Sequence, residues 1–255
     1  MTLGRWLGSH RIDLLDCSST NDEAARLARA GARHGTVITA QQQHAGRGRE
    51  GRVWQSPPGL GLYLSAVVRP PLPLALVPPM TLAIGVGVCD AVRAFGARAE
   101  LKWPNDVLVD GKKLAGVLVE AQSQGPRLEA VVVGIGVNLG GELPPQVAAT
   151  GITLAAAAGA TIDRQRFIAV LLEHVEHWID RYVASGLPAV STAWQERMAK
   201  HLIARASSIV GEVAGLDHDG AVLLRDDAGT LHRVRSGDLE VMRDTRVVEP
   251  AQPAC

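Results

Sequence analysis

The stretch from Leu72 to Cys89 carries no charged residue, and its placement limits every fold this 255-residue chain can adopt. An uncharged run of that length is long enough to cross a membrane as a helix. Pro73, Pro78 and Pro79 interrupt its first half, however, and Gly85 and Gly87 weaken its second. The pattern therefore predicts a proline-rich loop, then a buried helix from about Pro79 to Phe95 with proline in its first turn. Hydrophobic residues make up 47 % of the chain, enough to wrap such a helix in one sizeable core and leave room for a smaller second domain. No membrane partner is expected.

Around that helix, period and turn chemistry mark out an α+β order. A short strand over Ile12–Leu15 precedes a helix beginning near Thr20, where Thr20 and Glu23 have capping-box spacing and Gly31 supplies the stop. Thr36–Ala40 reads as a strand, and Leu60–Val68 alternates and contains Tyr63, so it reads as another. Leu101–Trp103 and Val107–Val109 are short strands, Asp110-Gly111 a hairpin turn, and Lys113–Ala121 and Leu128–Leu139 two longer strands. In Arg164–Ala184, residues Phe167, Leu171, Val175, Trp178 and Tyr182 recur at helical spacing, and Trp194–Ala204 reads as a further short helix. From about Ser207 the texture changes to short strands (Ser208–Ala214, Ala221–Arg225, Leu231–Val234, Leu239–Arg243) between Asp- and Gly-rich turns, the pattern of a small barrel. The expected division is 1–205, 206–247 and a loose tail at 248–255.

Lys+Arg and Asp+Glu both number 26, so the net charge is zero. A general DNA binder is usually basic, so none is expected here, and any positive field must be local. Cys17, Cys89 and Cys255 are odd in number and form no CxxC pair, which argues against a disulfide framework or a cysteine zinc site and suits a cytoplasmic protein. The opening residues MTLGRWLGSHRIDLLD hold no apolar signal-peptide core.

The most informative local segment is Gln43-His44-Ala45-Gly46-Arg47-Gly48-Arg49-Glu50-Gly51-Arg52-Val53-Trp54. Its GRGREG matches GxGxxG, but Pro57-Pro58-Gly59 cannot open the helix that a dinucleotide-binding loop requires, so the Rossmann reading fails. Three arginines in six residues have few carboxylates nearby in sequence, Glu50 being the nearest. Glycines at 46, 48 and 51 let the backbone approach a ligand closely. The loop is then mobile when empty and ordered by an anion such as phosphate. A solvated, charged surface loop is the other reading.

Two further clusters carry chemistry. Lys102-Trp103-Pro104-Asn105-Asp106 packs an ammonium, an indole, an amide and a carboxylate into five residues, with Lys113 seven positions on at the start of an apolar strand. A lysine so placed is either partly desolvated, and then a strong partner for an anionic oxygen, or an exposed hairpin lysine. Gly134 and Gly136 leave no side chain on one strand face, as where a ligand approaches closely or where a strand simply ends.

Taken in order, SSTN at 18–21, QHAGRGREGRVW at 43–54, KWPND at 102–106, KKLAGVLVE at 112–120 and GIGVNL at 134–139 resemble the biotin protein ligases, and GEVAGLDHDGAVLL at 211–224 resembles the start of that family's C-terminal barrel. The resemblance implies a mixed-sheet catalytic domain related to class II aminoacyl-tRNA synthetases, followed by an SH3-like β-barrel. It implies biotin contacts from Ser19, Thr20, Asn21, Gln43, Gly46, Arg47, Gly48, Arg49, Lys113, Gly116 and Gly134. On the ATP side it implies Arg49, Arg52, Trp54, Lys102, Asn105, Asp106, Lys113 and Asn138, with Lys113, Arg47 and Arg49 catalytic.

The implied activity is ATP-dependent activation of biotin as biotinyl-5′-AMP, with Mg²⁺ whose ligands are unspecified, and transfer to a lysine of a biotin carboxyl carrier protein. A monomer or weak homodimer is expected. Many bacterial relatives carry an N-terminal DNA-binding domain, whereas this sequence starts almost directly at the catalytic motifs. The rivals are a lipoate–protein ligase of the same superfamily, a non-enzymatic nucleotide- or phosphate-binding module and, more distantly, a Rossmann dehydrogenase.

Overall fold

The structure, a computed structural model, describes residues 5–199, 203–206 and 208–242. In chain order the larger body contains β1 (His10–Cys17), α1 (Thr20–Arg29), β2 (Thr36–Gln43), β3 (Gly61–Val68), α2 (Val77–Arg93), β4 (Ala99–Lys102), β5 (Asp106–Val109), β6 (Lys112–Gln124) and β7 (Arg127–Asn138). Short helices α3 (Pro145–Ala148) and α4 (Leu154–Ala158) lead to α5 (Arg164–Ser185) and α6 (Pro188–Arg197). The smaller body is β8 (Ile203–Ala206), β9 (Ile209–Leu216), β10 (Val222–Arg225), β11 (Leu231–Val234) and β12 (Glu240–Met242).

Seven strands form one sheet in the order β1-β2-β3-β7-β6-β5-β4. Only β1 and β2 run parallel and the remaining neighbours are antiparallel, so the sheet is mixed. The uncharged segment becomes α2, two residues earlier than its sequence suggests and with Pro78 and Pro79 in its first turn. It is apolar and long enough to cross a membrane, yet most of it is buried in the core of this fold. At Gly87 a Cβ would lie 2.9 Å from the His174 carbonyl, so this glycine lets α2 lie directly on α5. Each large aliphatic side chain buried there contributes roughly 1.5–3 kcal/mol, which fixes the helix under the sheet. Asp90 of α2 then accepts from Arg197 Nε (2.6 Å) and Trp178 Nε1 (3.0 Å), tying α5 and α6 to it.

Several local expectations are corrected by tertiary contacts. All eight residues of β3 are buried, not alternate ones, because α1 covers one face of the sheet and α2 the other. The capping box does not form: Ser19 is the N-cap, it makes no side-chain cap bond, and Thr20 is engaged elsewhere. The helix read at Trp194–Ala204 instead ends at Arg197, because Ala199 N–H bonds to the Leu101 carbonyl and draws the chain out to the sheet edge. Residues 203–206 are a strand, so the small body is a five-stranded sheet, β11-β10-β9-β8-β12. The expected 248–255 tail, Cys255 and Arg243 lie outside the described residues. Gly31 (φ +86°) and the Asp110-Gly111 hairpin (φ +50° and +71°) do take the left-handed backbone their sequences call for.

Candidate active site

Ser19, Thr20 and Asn21 sit where β1 turns into α1, and all three are buried. Gln43, at the end of β2, accepts through Oε1 from the Thr20 N–H (2.8 Å) and the Thr20 hydroxyl (3.1 Å), and its Nε2 donates to Ser56 Oγ (2.8 Å). The Ser56 hydroxyl in turn donates to the Trp54 carbonyl (3.0 Å). Ser65 of β3 lies 2.6 Å from Asn21 Oδ1 and 2.8 Å from Thr20 Oγ1, and Asn21 Nδ2 donates to Glu120 of β6 (2.5 Å). Apart from the Glu120 carboxylate, these side chains form a neutral, polar floor whose groups satisfy one another.

Glycines of the neighbouring strands make room for it. A Cβ at Gly134 would fall 2.2 Å from Asn21 Oδ1, and one at Gly136 would fall 2.5 Å from the Trp54 indole. At Gly116 the nearest atoms would be those of Trp54 (3.2 Å) and Lys113 (3.3 Å). The close approach read from sequence is therefore made by the chain's own Asn21 and Trp54. Among the described residues, the Trp54 indole N–H is buried without a hydrogen-bond partner.

Above the floor stands a cationic rim. Lys113 Nζ lies 2.6 Å from Asp106 Oδ1 and 5.4 Å from the centre of the Trp54 ring; its side chain is 36 % exposed. Lys102 meets the other Asp106 oxygen at 3.4 Å, and burial lowers its pKa against the pull of that carboxylate. Asn105, after a cis Trp103–Pro104 bond, donates to the Val117 carbonyl (2.8 Å) and joins this turn to β6. Backbone bonds from Lys113 N–H to the Thr150 carbonyl (2.8 Å) and from Ile152 N–H to the Lys113 carbonyl (3.1 Å) hold the lysine's main chain, and Asn138 Nδ2 donates to the Lys113 and Ile152 carbonyls at 3.4 and 3.3 Å.

The arginine segment folds as a small hairpin of its own. Gly48 N–H bonds to Arg52 O (2.7 Å) and Trp54 N–H to Gly46 O (2.9 Å), around a turn with Glu50 and Gly51 at positive φ. No helix follows it. Its cations are not short of carboxylates, as the local sequence implies; their partners come from distant segments. Arg47 makes a two-pronged pair with Asp22 (2.7 and 2.8 Å) and lies 3.7 Å from Glu120. Arg49 reaches Asp238 (3.3 Å), in the turn between β11 and β12, and burial lowers its pKa. Arg52 pairs with the same Asp238 and with Glu50 (3.2 Å).

Floor and rim enclose one cavity of about 120 Å³. Ser19, Thr20, Asn21, Gln43, Arg47, Gly48, Arg49, Arg52, Trp54, Asn105, Asp106, Lys113, Gly116 and Gly134 all line it. Gly46, Lys102 and Asn138 stand behind its wall: Gly46 packs on Trp54, Ser56 and Gln43, and Lys102 acts on the cavity through Asp106. Tyr63, Ser65, Asp22, Glu120 and Asp238 were not singled out from sequence. Asp22 adjoins the SSTN motif and Glu120 is an acid closing an apolar strand, but nothing local marks Asp238. Outside the cavity, Asp217, His218 and Asp219 could together hold a metal, yet Asp217 and Asp219 already pair with Arg233.

Comparison with known proteins bears on the whole chain. The sequence profile of the Biotin/lipoate A/B protein ligase family matches residues 16–138. The chain is 35 % identical over 223 residues to the biotin–[acetyl-CoA-carboxylase] ligase of Paracoccus denitrificans, covering 83 % of this chain and 92 % of that one. It is 34 % identical over 244 residues to the bifunctional ligase/repressor BirA of Bacillus subtilis, covering 92 % of this chain and 75 % of that protein. The solved biotin protein ligase of Aquifex aeolicus, in complex with biotin and ATP, superimposes with a TM-score of 0.79 at 27 % identity, over 92 % of this chain and 99 % of that one.

Proposed function

The chain belongs to the biotin/lipoate A/B protein ligase family, and from that premise we propose how its cavity divides the work of an ATP-dependent biotin ligase. The enzyme activates biotin with ATP as biotinyl-5′-AMP and transfers the biotinyl group to a lysine of a biotin carboxyl carrier protein. The observation that carries the division is that a neutral floor and four cations, Arg47, Arg49, Arg52 and Lys113, line one cavity.

Ser19, Thr20, Asn21 and Gln43 offer both donors and acceptors, as a cyclic urea requires and a dithiolane does not, so the floor takes the biotin head in preference to lipoate. Gly48, Gly116 and Gly134 line the cavity beside it, and Gly46 gives Trp54, Ser56 and Gln43 room behind the wall. The valeryl carboxylate then lies toward Lys113. It attacks the α-phosphorus of ATP and pyrophosphate departs, while charge building on the α-phosphoryl oxygens is stabilised by Lys113, Arg47 and Arg49. Arg52, Trp54, Lys102, Asn105, Asp106 and Asn138 form the nucleotide side, and the Trp54 indole N–H is a donor available there. At Lys113, Arg49 and Arg52, the carboxylates of Asp106 and Asp238 hold positions that phosphates take over. In the second step the carrier's lysine amine attacks the mixed anhydride and AMP leaves, with the arginine hairpin excluding water meanwhile.

Magnesium belongs to the same proposal. Asp106 and Asp238 are the carboxylates on the cavity wall and both are already paired with cations. This suits an ion held mainly by phosphates and water, with Asp106 as its one protein ligand. When bound it neutralises part of the triphosphate charge. We further assign residues 206–247 to an SH3-like barrel that closes on the hairpin through Asp238, residues 1–205 to a catalytic domain related to the class II synthetases, and the reaction to a monomer or weak homodimer in the cytoplasm.

The test is pyrophosphate release from ATP with and without biotin, paired with calorimetric titration of biotin and lipoate. Biotin-dependent release and selective biotin binding are expected. Release with lipoate alone, or ATP binding without release, overturns the assignment.

A further inference from the structure

Arg47 is a part-exposed cation of the hairpin, and its two partners come from different elements, α1 and β6. Asp22 lies in the first turn of α1, directly after the floor residues Thr20 and Asn21, and takes both Arg47 terminal nitrogens. Glu120 projects from β6, 3.7 Å from Arg47, and its other oxygen accepts from Asn21 Nδ2. From Asn21 the contacts run through Ser65, Thr20, Gln43 and Ser56 to the Trp54 carbonyl. Both ends of the hairpin are thus tied, by one continuous chain of polar contacts, to the floor beneath it. A planar guanidinium gripped in two-pronged fashion is held in direction as well as distance.

We propose that Asp22 and Glu120 are positioning residues that latch the arginine hairpin shut through Arg47, setting how long the activated intermediate is retained. The inference rests on the adenylate-forming reading above. Neither carboxylate lines the cavity, so neither touches the reacting atoms; each acts on them through Arg47. Asp22 is the principal catch, because it makes the two short contacts. Glu120 joins the catch to the floor, so a ligand that engages Asn21 tightens both.

The test compares the full-length wild type with Asp22→Asn, Asp22→Glu and Glu120→Gln. Two quantities are read: the first-turnover pyrophosphate burst with ATP and biotin, and the half-life of enzyme-held biotinyl-adenylate after rapid gel filtration. Asp22→Asn shortens that half-life about tenfold while the burst stays within about twofold, Glu120→Gln shortens it about threefold, and Asp22→Glu recovers most of the loss. Released adenylate also labels lysines of a bystander albumin in proportion. Because the Arg47–Asp22 pair is part-exposed, 1 M salt should shorten the wild-type half-life as well, and this carries the test should the variants fail to fold. A half-life unchanged by Asp22→Asn overturns the latch, as does a loss that Asp22→Glu does not repair, or salt-independent retention by the wild type. No biotin-dependent burst from the wild type overturns the functional reading itself.

Discussion

The floor and the rim of the cavity are built on opposite principles. In the floor, Thr20, Asn21, Gln43 and Ser65 are neutral, mostly buried and joined by hydrogen bonds of 2.6–3.1 Å. A buried polar group without a partner costs about 1–3 kcal/mol, so such a set must satisfy itself before any ligand arrives. In the rim, Arg47, Arg49, Arg52 and Lys113 are part-exposed and neutralised by carboxylates drawn from α1, β5, β6 and the small C-terminal sheet. Exposed pairs of this kind are individually weak and exchangeable. One half is therefore fixed in advance, and in the other Lys113, Arg49 and Arg52 are held by partners that an anion can replace.

The comparison breaks most visibly at Lys113. Lys113→Ala should reduce biotin-dependent pyrophosphate release by about 10²–10³-fold, the scale of removing one transition-state charge partner. Biotin affinity by calorimetry should fall far less, and equal losses in both would erase the distinction between floor and rim. The next largest effect belongs to the floor. Gly134→Ala places a Cβ on Asn21 Oδ1, so biotin affinity should weaken by about tenfold or more, whereas nucleotide binding measured alone should be nearly unchanged.

A smaller effect is expected where Asp238 meets the arginine hairpin. Asp238 is only 18 % exposed, but Arg52 is 55 % exposed, so Asp238→Asn should destabilise by about 1 kcal/mol or less. Thermal unfolding at low and high salt checks this, since the difference should shrink in 1 M salt. The smallest response concerns Cys17, at the end of β1 behind the floor. Burial, reinforced by Glu23, Asp16 and Asp22, pushes its thiol up to about 11. Iodoacetamide labelling of Cys17, followed by peptide mass spectrometry, should therefore be slow at pH 7.5 and rise only well above pH 9. Rapid labelling at neutral pH would contradict the raised thiol.

Much of this was legible in the residues. The helix buried at Val77–Arg93, the Asp110-Gly111 hairpin and the strands on either side follow from period, proline and glycine, which act within a few positions. The site motifs were equally visible because SSTN, the arginine segment, KWPND and Lys113 are each contiguous. What failed did so for one kind of reason. Thr20 and Glu23 have capping-box spacing, but Gln43 and Ser65 claim the Thr20 hydroxyl. The β3 sequence alternates, but helices on both faces bury all of it. Trp194–Ala204 has helical composition, but the Leu101 carbonyl draws Ala199 away.

The cations of the cavity and their partners are encoded differently. Sequence determined which cations the cavity would have, because the arginines and glycines of residues 46–52 and Lys113 are read directly in order. It could not determine their partners. Asp238 joins Arg52 across 186 positions and Glu120 joins Asn21 across 99. Ion pairs and hydrogen bonds act over a few ångströms in space, and no spacing along the chain encodes that distance until the sheet has formed.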